Sequence, residues 1–299
     1  MSGSGWQGTF TALVTPFTAD GEEVDWDGFD RLLELQLSAR LRGLVPCGTT
    51  GEAPTLSAEE QVEIVRRTVQ KARGKALVVA GTGSNDTKKT VRASERALEA
   101  GADAVMLVNP YYNKPSQEGM FQHFRYVAEA VQAPVILYNI PSRTSVTLSA
   151  ETTARLADAC PNIVAVKDAT GSVLYCQDVL SRVGDRLTVL SGDDPLTLPL
   201  LSVGAKGVIS VTANLLPERV AEVVDLHFKG LAAEARVKNQ ALFPIHGALF
   251  SEPNPQPIKA ALAMRNLIQA AVRLPLVPAS EKCRALIGRV LAEYEARCK

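Results

Sequence analysis

Apolar and polar positions along the chain fall into two alternating textures. Short β-branched runs, apolar on both faces, occupy residues 10–15, 43–47, 76–81, 104–108, 135–139, 163–167, 187–191 and 207–211. Strands hydrophobic on both faces fit a parallel sheet covered by helices, whereas exposed hairpins alternate apolar and polar residues. Between these runs, apolar residues recur at helical spacing, as in residues 26–41, 58–72, 87–100 and 118–131. Ser57, followed three residues later by Glu60, makes a capping box at the start of the second of these helices. Eight β-then-α units in sequence predict an α/β fold with right-handed crossovers, and eight strands close a (β/α)8 TIM barrel. A doubly wound open sheet is the alternative, weakened because no G-x-G-x-x-G follows the first strand.

The strand texture stops near residue 226, and residues 232–250, 257–271 and 280–296 read as helices. The expected organisation is a catalytic barrel over residues 1–226 and a C-terminal helical extension over 227–299. A chain of 299 residues buries enough surface to hold its core without disulfides or metal. Hydrophobic residues make up 46% and charged residues 21%, and 32 basic residues balance 32 acidic ones. That balance argues against a broad electrostatic footprint for nucleic acid. The five cysteines are scattered with no C-x-x-C pair, which disfavours a zinc site or a disulfide framework and fits a reducing compartment. No basic and apolar leader opens the chain, and no apolar stretch reaches the ~18 residues of a membrane span. A cytoplasmic protein is expected.

In a barrel of this kind the chemistry sits where strands end at their C-terminal edge. The predicted strand ends carry Gly48-Thr49-Thr50-Gly51-Glu52, Asn109-Pro110-Tyr111-Tyr112, Tyr138-Asn139, Lys167-Asp168, Ser191-Gly192-Asp193-Asp194 and Ser210-Val211-Thr212. Lys167 follows the apolar run Ile163-Val164-Ala165-Val166. Burial favours the neutral amine, and a neutral amine attacks ketones. A lysine reaching past the strand end to solvent or a carboxylate fits its position equally well. The Thr49-Thr50 turn can seat a small carboxylate through N–H groups and hydroxyls, or its threonines can simply satisfy local backbone. Tyr138 can relay protons or bond a neighbour within the barrel. Arg143 can grip a carboxylate bidentately or form a surface ion pair. Tyr111 and Tyr112 also suit packing at an interface. His123, His227 and His246 fall in predicted helices away from the rim, which disfavours a Ser/His/Asp hydrolase.

Taken together and in order, Gly48-Thr49-Thr50-Gly51-Glu52, Pro110-Tyr111-Tyr112-Asn113-Lys114-Pro115, Tyr138-Asn139-Ile140-Pro141-Ser142-Arg143, Lys167-Asp168-Ala169-Thr170-Gly171, Gly207-Val208-Ile209-Ser210-Val211 and Pro253-Asn254-Pro255-Gln256-Pro257 resemble the dihydrodipicolinate synthase/N-acetylneuraminate lyase family. The resemblance spans nearly the whole chain. It implies that Lys167 forms an imine with pyruvate and that Tyr138, Thr49 and Tyr112 relay protons, the last lent across a dimer interface. It implies that Thr49 and Thr50 hold the pyruvate carboxylate, that Arg143 binds the carboxylate of a second substrate, and that Gly192 and Ile209 line the pocket. The synthase branch condenses pyruvate with (S)-aspartate semialdehyde, giving 4-hydroxy-tetrahydrodipicolinate in the diaminopimelate/lysine pathway. Arg143 favours that branch over sialic-acid lyases and 2-keto-3-deoxy sugar acid aldolases, whose polyhydroxylated substrates leave a buried guanidinium unpaired. A keto-acid-binding barrel without catalysis is the reading from another class, and the intact lysine, tyrosine and threonine argue against it. The resemblance implies no metal or organic cofactor and a homo-oligomer, a dimer of dimers. In family members inhibited by lysine, a glutamate and histidines line the inhibitor site; Lys89, Ala58 and Gln61 stand at the matching positions here. Lys89 repels an ammonium group, so weak or absent feedback is expected.

Overall fold

In the computed structural model, which describes residues 3–39 and 41–298, the strands β1 Gly8–Ala12, β2 Gly43–Val45, β3 Leu77–Gly81, β4 Ala104–Val108, β5 Val135–Asn139, β6 Ile163–Asp168, β7 Thr188–Ser191 and β8 Gly207–Ser210 form one closed parallel barrel. β1 pairs with β8 from Gly8 opposite Gly207, so no edge remains and the doubly wound alternative is excluded. That pairing also moves β1 earlier than the apolar run predicts: the Leu13 N–H makes a last bond to the Val45 carbonyl of β2 at 3.0 Å, and beyond it Thr15 Oγ1 donates to the Gly51 carbonyl at 2.8 Å.

Strand alternation sorts the side chains. On β5 and β6, Ile136, Tyr138 and Ala165 join the cluster inside the barrel, with Phe10, Met106 and Leu190. Val135, Leu137 and Val166 face outward into the layer beneath the helices. Phe10 needs the glycine beside it, because a Cβ on Gly43 would lie 2.4 Å from the Phe10 ring.

Helices Trp26–Ser38, Ala58–Ala72, Thr87–Glu99, Gln117–Val131, Ala150–Ala159, Val173–Val183, Thr197–Ser202 and Pro217–Phe228 follow successive strands. The first is representative. Asp25 caps it through the Gly28 N–H, and Phe29, Leu32, Leu33 and Gln36 form its buried stripe. A cap contributes about 1 kcal/mol, and each fully buried Leu or Phe roughly 1.5–3 kcal/mol.

Three further helices, Ala232–Leu249, Gln256–Met264 and Glu281–Cys298, complete the described chain. Leu242, Ile245, Ile258 and Ile287 share one hydrophobic cluster with Leu13, Val14 and Val208. The C-terminal helices therefore pack onto the barrel's flank. The expected boundary at residues 226–227 falls inside helix Pro217–Phe228. The helix expected over residues 257–271 stops at Met264, because Asn266 adopts a left-handed backbone (φ 55). No helix among the described residues is long and apolar enough to cross a membrane.

Candidate active site

β6 carries Lys167 to the C-terminal rim, where its residue is only 5% exposed. The β5–β6 register sets Tyr138 directly beside it, and the Lys167 Nζ lies 4.2 Å from the centroid of the Tyr138 ring. Burial lowers the basicity of this amine from 10.5 to about 7. The Asp194 charge pulls in the opposite direction, and the Arg143 charge adds to the lowering. Desolvation outweighs the Asp194 charge because the amine is almost wholly buried. A large share of Lys167 is thus a neutral nucleophile near pH 7.

Gly192 makes room for the lysine. A Cβ there would lie 2.9 Å from Lys167 Cγ and 3.0 Å from Cε, so only glycine lets the stem lie against the β7 end. The Gly192 N–H donates to the Asp168 carbonyl at 2.6 Å, which fixes that approach. Ile209, buried on β8, belongs to the barrel-interior cluster below.

Tyr138 is buried, which pushes its phenol up to about 12 against the opposing hydrogen bond with Thr49. Its proton therefore stays on at neutral pH and is available for transfer to a partner. Thr49 and Thr50 sit in the tight turn after β2, closed by the Gly51 N–H on the Gly48 carbonyl and the Glu52 N–H on the Thr49 carbonyl, both at 3.1 Å. Thr50 Oγ1 accepts a hydrogen bond from Asn254 Nδ2 at 2.9 Å. The Asn254 carbonyl in turn accepts from Arg143 Nη2 at 3.0 Å. One residue of the C-terminal extension thereby links the candidate carboxylate seat to the candidate second-substrate arginine. Thr49, Tyr138, Arg143, Asn254 and Tyr111 face a cavity of 740 Å³, ample for two small acids.

Tyr112 stands apart. It is 90% exposed on the single chain, with a left-handed backbone at φ 69, while its neighbour Tyr111 faces the cavity. Within the single chain Lys167 meets Tyr138 and Gly192, Tyr138 bonds Thr49, and Asn254 joins Thr50 to Arg143, while Ile209 lies below in the barrel interior and Tyr112 takes no part in these contacts.

Two polar groups at the rim carried no role in the sequence reading. Asn254 is the first. Asp194 is the second: it is buried and accepts from the Ser210 hydroxyl, from Val211 N–H at 2.9 Å and from Thr212 N–H at 3.2 Å. The adjacent acids at the end of β7 were its only sequence signal. The expectation that all histidines lie far from the rim fails for His246, whose Nδ1 is 2.8 Å from the hydroxyl of Thr212, just past β8. His123 Nδ1 is likewise 2.8 Å from the Thr87 hydroxyl. Burial lowers both imidazoles, His123 to about 4, so they serve as neutral hydrogen-bonding groups. The described residues contain no cluster of three or more His, Cys, Asp or Glu able to hold a metal.

Lys89, Ala58 and Gln61 meet at one 210 Å³ cavity, which Arg92 and Arg96 also line.

A closed eight-stranded barrel with a buried, weakly basic lysine at a strand end has what an imine-forming lyase requires. The profile of the Dihydrodipicolinate synthetase family matches residues 6–294, and the chain belongs to that family. It is 57% identical over 290 residues to the 4-hydroxy-tetrahydrodipicolinate synthase of Sorangium cellulosum (strain So ce56), covering 97% of this chain and 96% of that one. The crystal structure of dihydrodipicolinate synthase from Aquifex aeolicus superposes with a TM-score of 0.94 at 41% identity, covering 97% of this chain and 98% of that one. A monomeric dihydrodipicolinate synthase variant superposes with a TM-score of 0.95 at 38% identity, covering 98% of both chains.

Proposed function

We propose that this enzyme condenses pyruvate with (S)-aspartate semialdehyde to give 4-hydroxy-tetrahydrodipicolinate, with Lys167 as the imine-forming residue. The observation that carries the reading is the buried Lys167 amine, lowered to about 7 and lying over a Tyr138 that bonds Thr49.

The steps follow from those groups. Neutral Lys167 adds to C2 of pyruvate, and loss of water gives an iminium. Thr49 and Thr50 hold the carboxylate so that C2 faces the amine. Loss of a C3 proton gives an enamine, whose carbon attacks the aldehyde of the second substrate. Tyr138 delivers and recovers protons through Thr49. The amine of the second substrate then displaces Lys167, closing the ring and freeing the enzyme. The iminium is itself the electron sink, so this chemistry calls for no metal or organic cofactor.

Arg143 binds the carboxylate of aspartate semialdehyde, aimed by the Asn254 carbonyl. A sugar-acid aldolase or N-acetylneuraminate lyase presents a neutral polyol there and gains nothing from a guanidinium so placed. The exposed Tyr112 supports a homo-oligomer in which a second copy completes the relay, with a dimer of dimers as the arrangement the family suggests. Lys89 with Arg92 and Arg96 repels a basic amino acid, so lysine feedback is weak or absent. The buried, unpaired Cys47, Cys160, Cys176 and Cys283 fit a reducing, cytoplasmic setting.

The decisive experiment combines a coupled assay on both substrates with borohydride trapping by pyruvate. Wild type is expected to condense the pair and to gain one reduced pyruvate adduct on Lys167, and Lys167→Ala to do neither. Wild-type protein that takes no adduct on Lys167 refutes both the condensation and any aldolase reading. Adduct formation with turnover of sugar aldehydes and none of aspartate semialdehyde supports the aldolase alternative instead.

A further inference from the structure

A second buried lysine stands behind the carboxylate seat. Lys259, on helix Gln256–Met264, is fully buried. Its Nζ donates to Glu52 Oε1 at 2.5 Å and to the Ala271 carbonyl at 2.8 Å, and lies 4.0 Å from the centroid of the Phe17 ring. Glu52 is buried too, and its Oε2 accepts the Arg273 N–H at 3.0 Å. Both carboxylate oxygens are therefore committed to the C-terminal part of the chain, more than 200 residues away in sequence.

Glu52 is no ordinary neighbour of the seat. It closes the Thr49-Thr50 turn through its own N–H. It also holds a left-handed backbone, φ 54, an uncommon conformation for a side chain of this size. Its buried side-chain contacts fasten the turn in that conformation to the C-terminal helices. Burial lowers Lys259 to about 8, and the Glu52 charge holds it from falling further, so at neutral pH the amine is largely charged.

We propose that the Glu52–Lys259 pair is a positioning device, through which the C-terminal helices set Thr49 and Thr50 for the pyruvate carboxylate. The pair acts through those two threonines and has no part in the reacting atoms. Pyruvate capture then depends on it, while the later chemistry on Lys167 does not. A buried ion pair adds little net stability compared with an apolar substitute, so placement of the turn is the function that this one retains. The inference rests on the reading that pyruvate forms its imine on Lys167 with its carboxylate in the Thr49-Thr50 turn.

The test compares borohydride trapping of pyruvate and of methyl pyruvate, which offers the same ketone without the carboxylate charge. Subsaturating rates are measured on full-length wild type, Glu52→Gln and the double variant Glu52→Gln/Lys259→Met. Glu52→Gln is expected to trap pyruvate about ten-fold more slowly while methyl pyruvate changes less than about three-fold. In the full reaction the KM for pyruvate rises about ten-fold and kcat falls less than about three-fold. The double variant leaves no unpaired buried charge, so it should unfold near the wild-type temperature yet keep the impaired pyruvate preference. A folded double variant with the wild-type preference overturns the proposal. Equal loss of both keto compounds also overturns it, because general damage does not discriminate between them. Glu52→Asp keeps both charges and shortens the reach, so it provides a folded check in which the preference must fall in the same direction. An unchanged preference there counts against the clamp. Wild type that takes neither compound on Lys167 sinks the underlying function instead, and the two failures are thereby told apart.

Discussion

At the scale of single residues, Lys167 is defined by a conflict between stability and reactivity. Lowering an amine from 10.5 to about 7 corresponds to roughly 5 kcal/mol in favour of its neutral form. Between those two pH values the unfolded chain holds a proton that the folded chain releases, so stability rises with pH across that window. Below about pH 7 the folded protein bears the full cost of a buried charge. Two outcomes follow. The rate of imine trapping at low pyruvate should climb from pH 6 to pH 8 with an inflection near 7, read from the trapping rate against pH. Lys167→Met should be inactive yet more stable than wild type, by roughly 2–4 kcal/mol at pH 7 and by much less near pH 10, measured by urea unfolding at each pH. Equal gains at both pH values would contradict the lowered amine. Gly192 sharpens the same point from the other side. Gly192→Ala puts a methyl group against Lys167 Cγ and Cε, so it should cut pyruvate trapping by about ten-fold or more, while circular dichroism shows an intact fold.

At the scale of elements, what could be read from sequence was what repeats locally. Eight apolar runs with helical spacing between them announce the barrel, and strand-end position puts Lys167, Tyr138 and Thr49 on one rim, though their roles come from the order of the motifs as a set. The Ser57–Glu60 capping box was legible as well, and both its hydrogen bonds are formed, at 2.8 and 3.1 Å. Its second duty was not. The Glu60 carboxylate also takes a two-pronged grip from Arg273, which holds it below the usual carboxylate range. That partner lies 213 residues away, and no local pattern encodes it. The same holds for Asn254 with Thr50 and for Lys259 with Glu52, pairs that exist only once the C-terminal helices dock. The apolar helical spacing over residues 257–271 outlasts the helix for a related reason: Asn266 turns the backbone after Met264. Removing only the cap, as in Ser57→Ala, should cost about 1 kcal/mol. Glu60→Ala keeps the Ser57 Oγ bond to the residue-60 N–H but loses the carboxylate's bond to the Ser57 N–H and the Arg273 grip, and should cost about 1 kcal/mol more, with that excess shrinking as acid protonates Glu60. Urea unfolding of both variants at pH 7 and pH 4 checks the order.

At the scale of the whole molecule, the single chain holds every proposed catalytic group except one. Tyr112 does not line the cavity and is almost wholly exposed, though the relay it is assigned to lies inside. If a second copy inserts it, each active site takes Lys167 from one protomer and Tyr112 from its partner. That arrangement predicts complementation between two crippled variants. Lys167→Ala has no nucleophile, and Tyr112→Phe has a broken relay at every site. In a mixed dimer, the site built on the Tyr112→Phe protomer has its own Lys167 and receives an intact Tyr112 from the Lys167→Ala partner. It is therefore a wild-type site. Random pairing of equal amounts makes half the dimers mixed, each with one such site in two, so about a quarter of all sites should recover. Denaturing the two variants together, refolding them and assaying condensation gives the measurement, with each variant refolded alone as the baseline. Activity near a quarter of wild type supports a shared site. Activity no higher than the average of the two baselines would place Tyr112 outside the partner's site and make each chain catalytically self-contained.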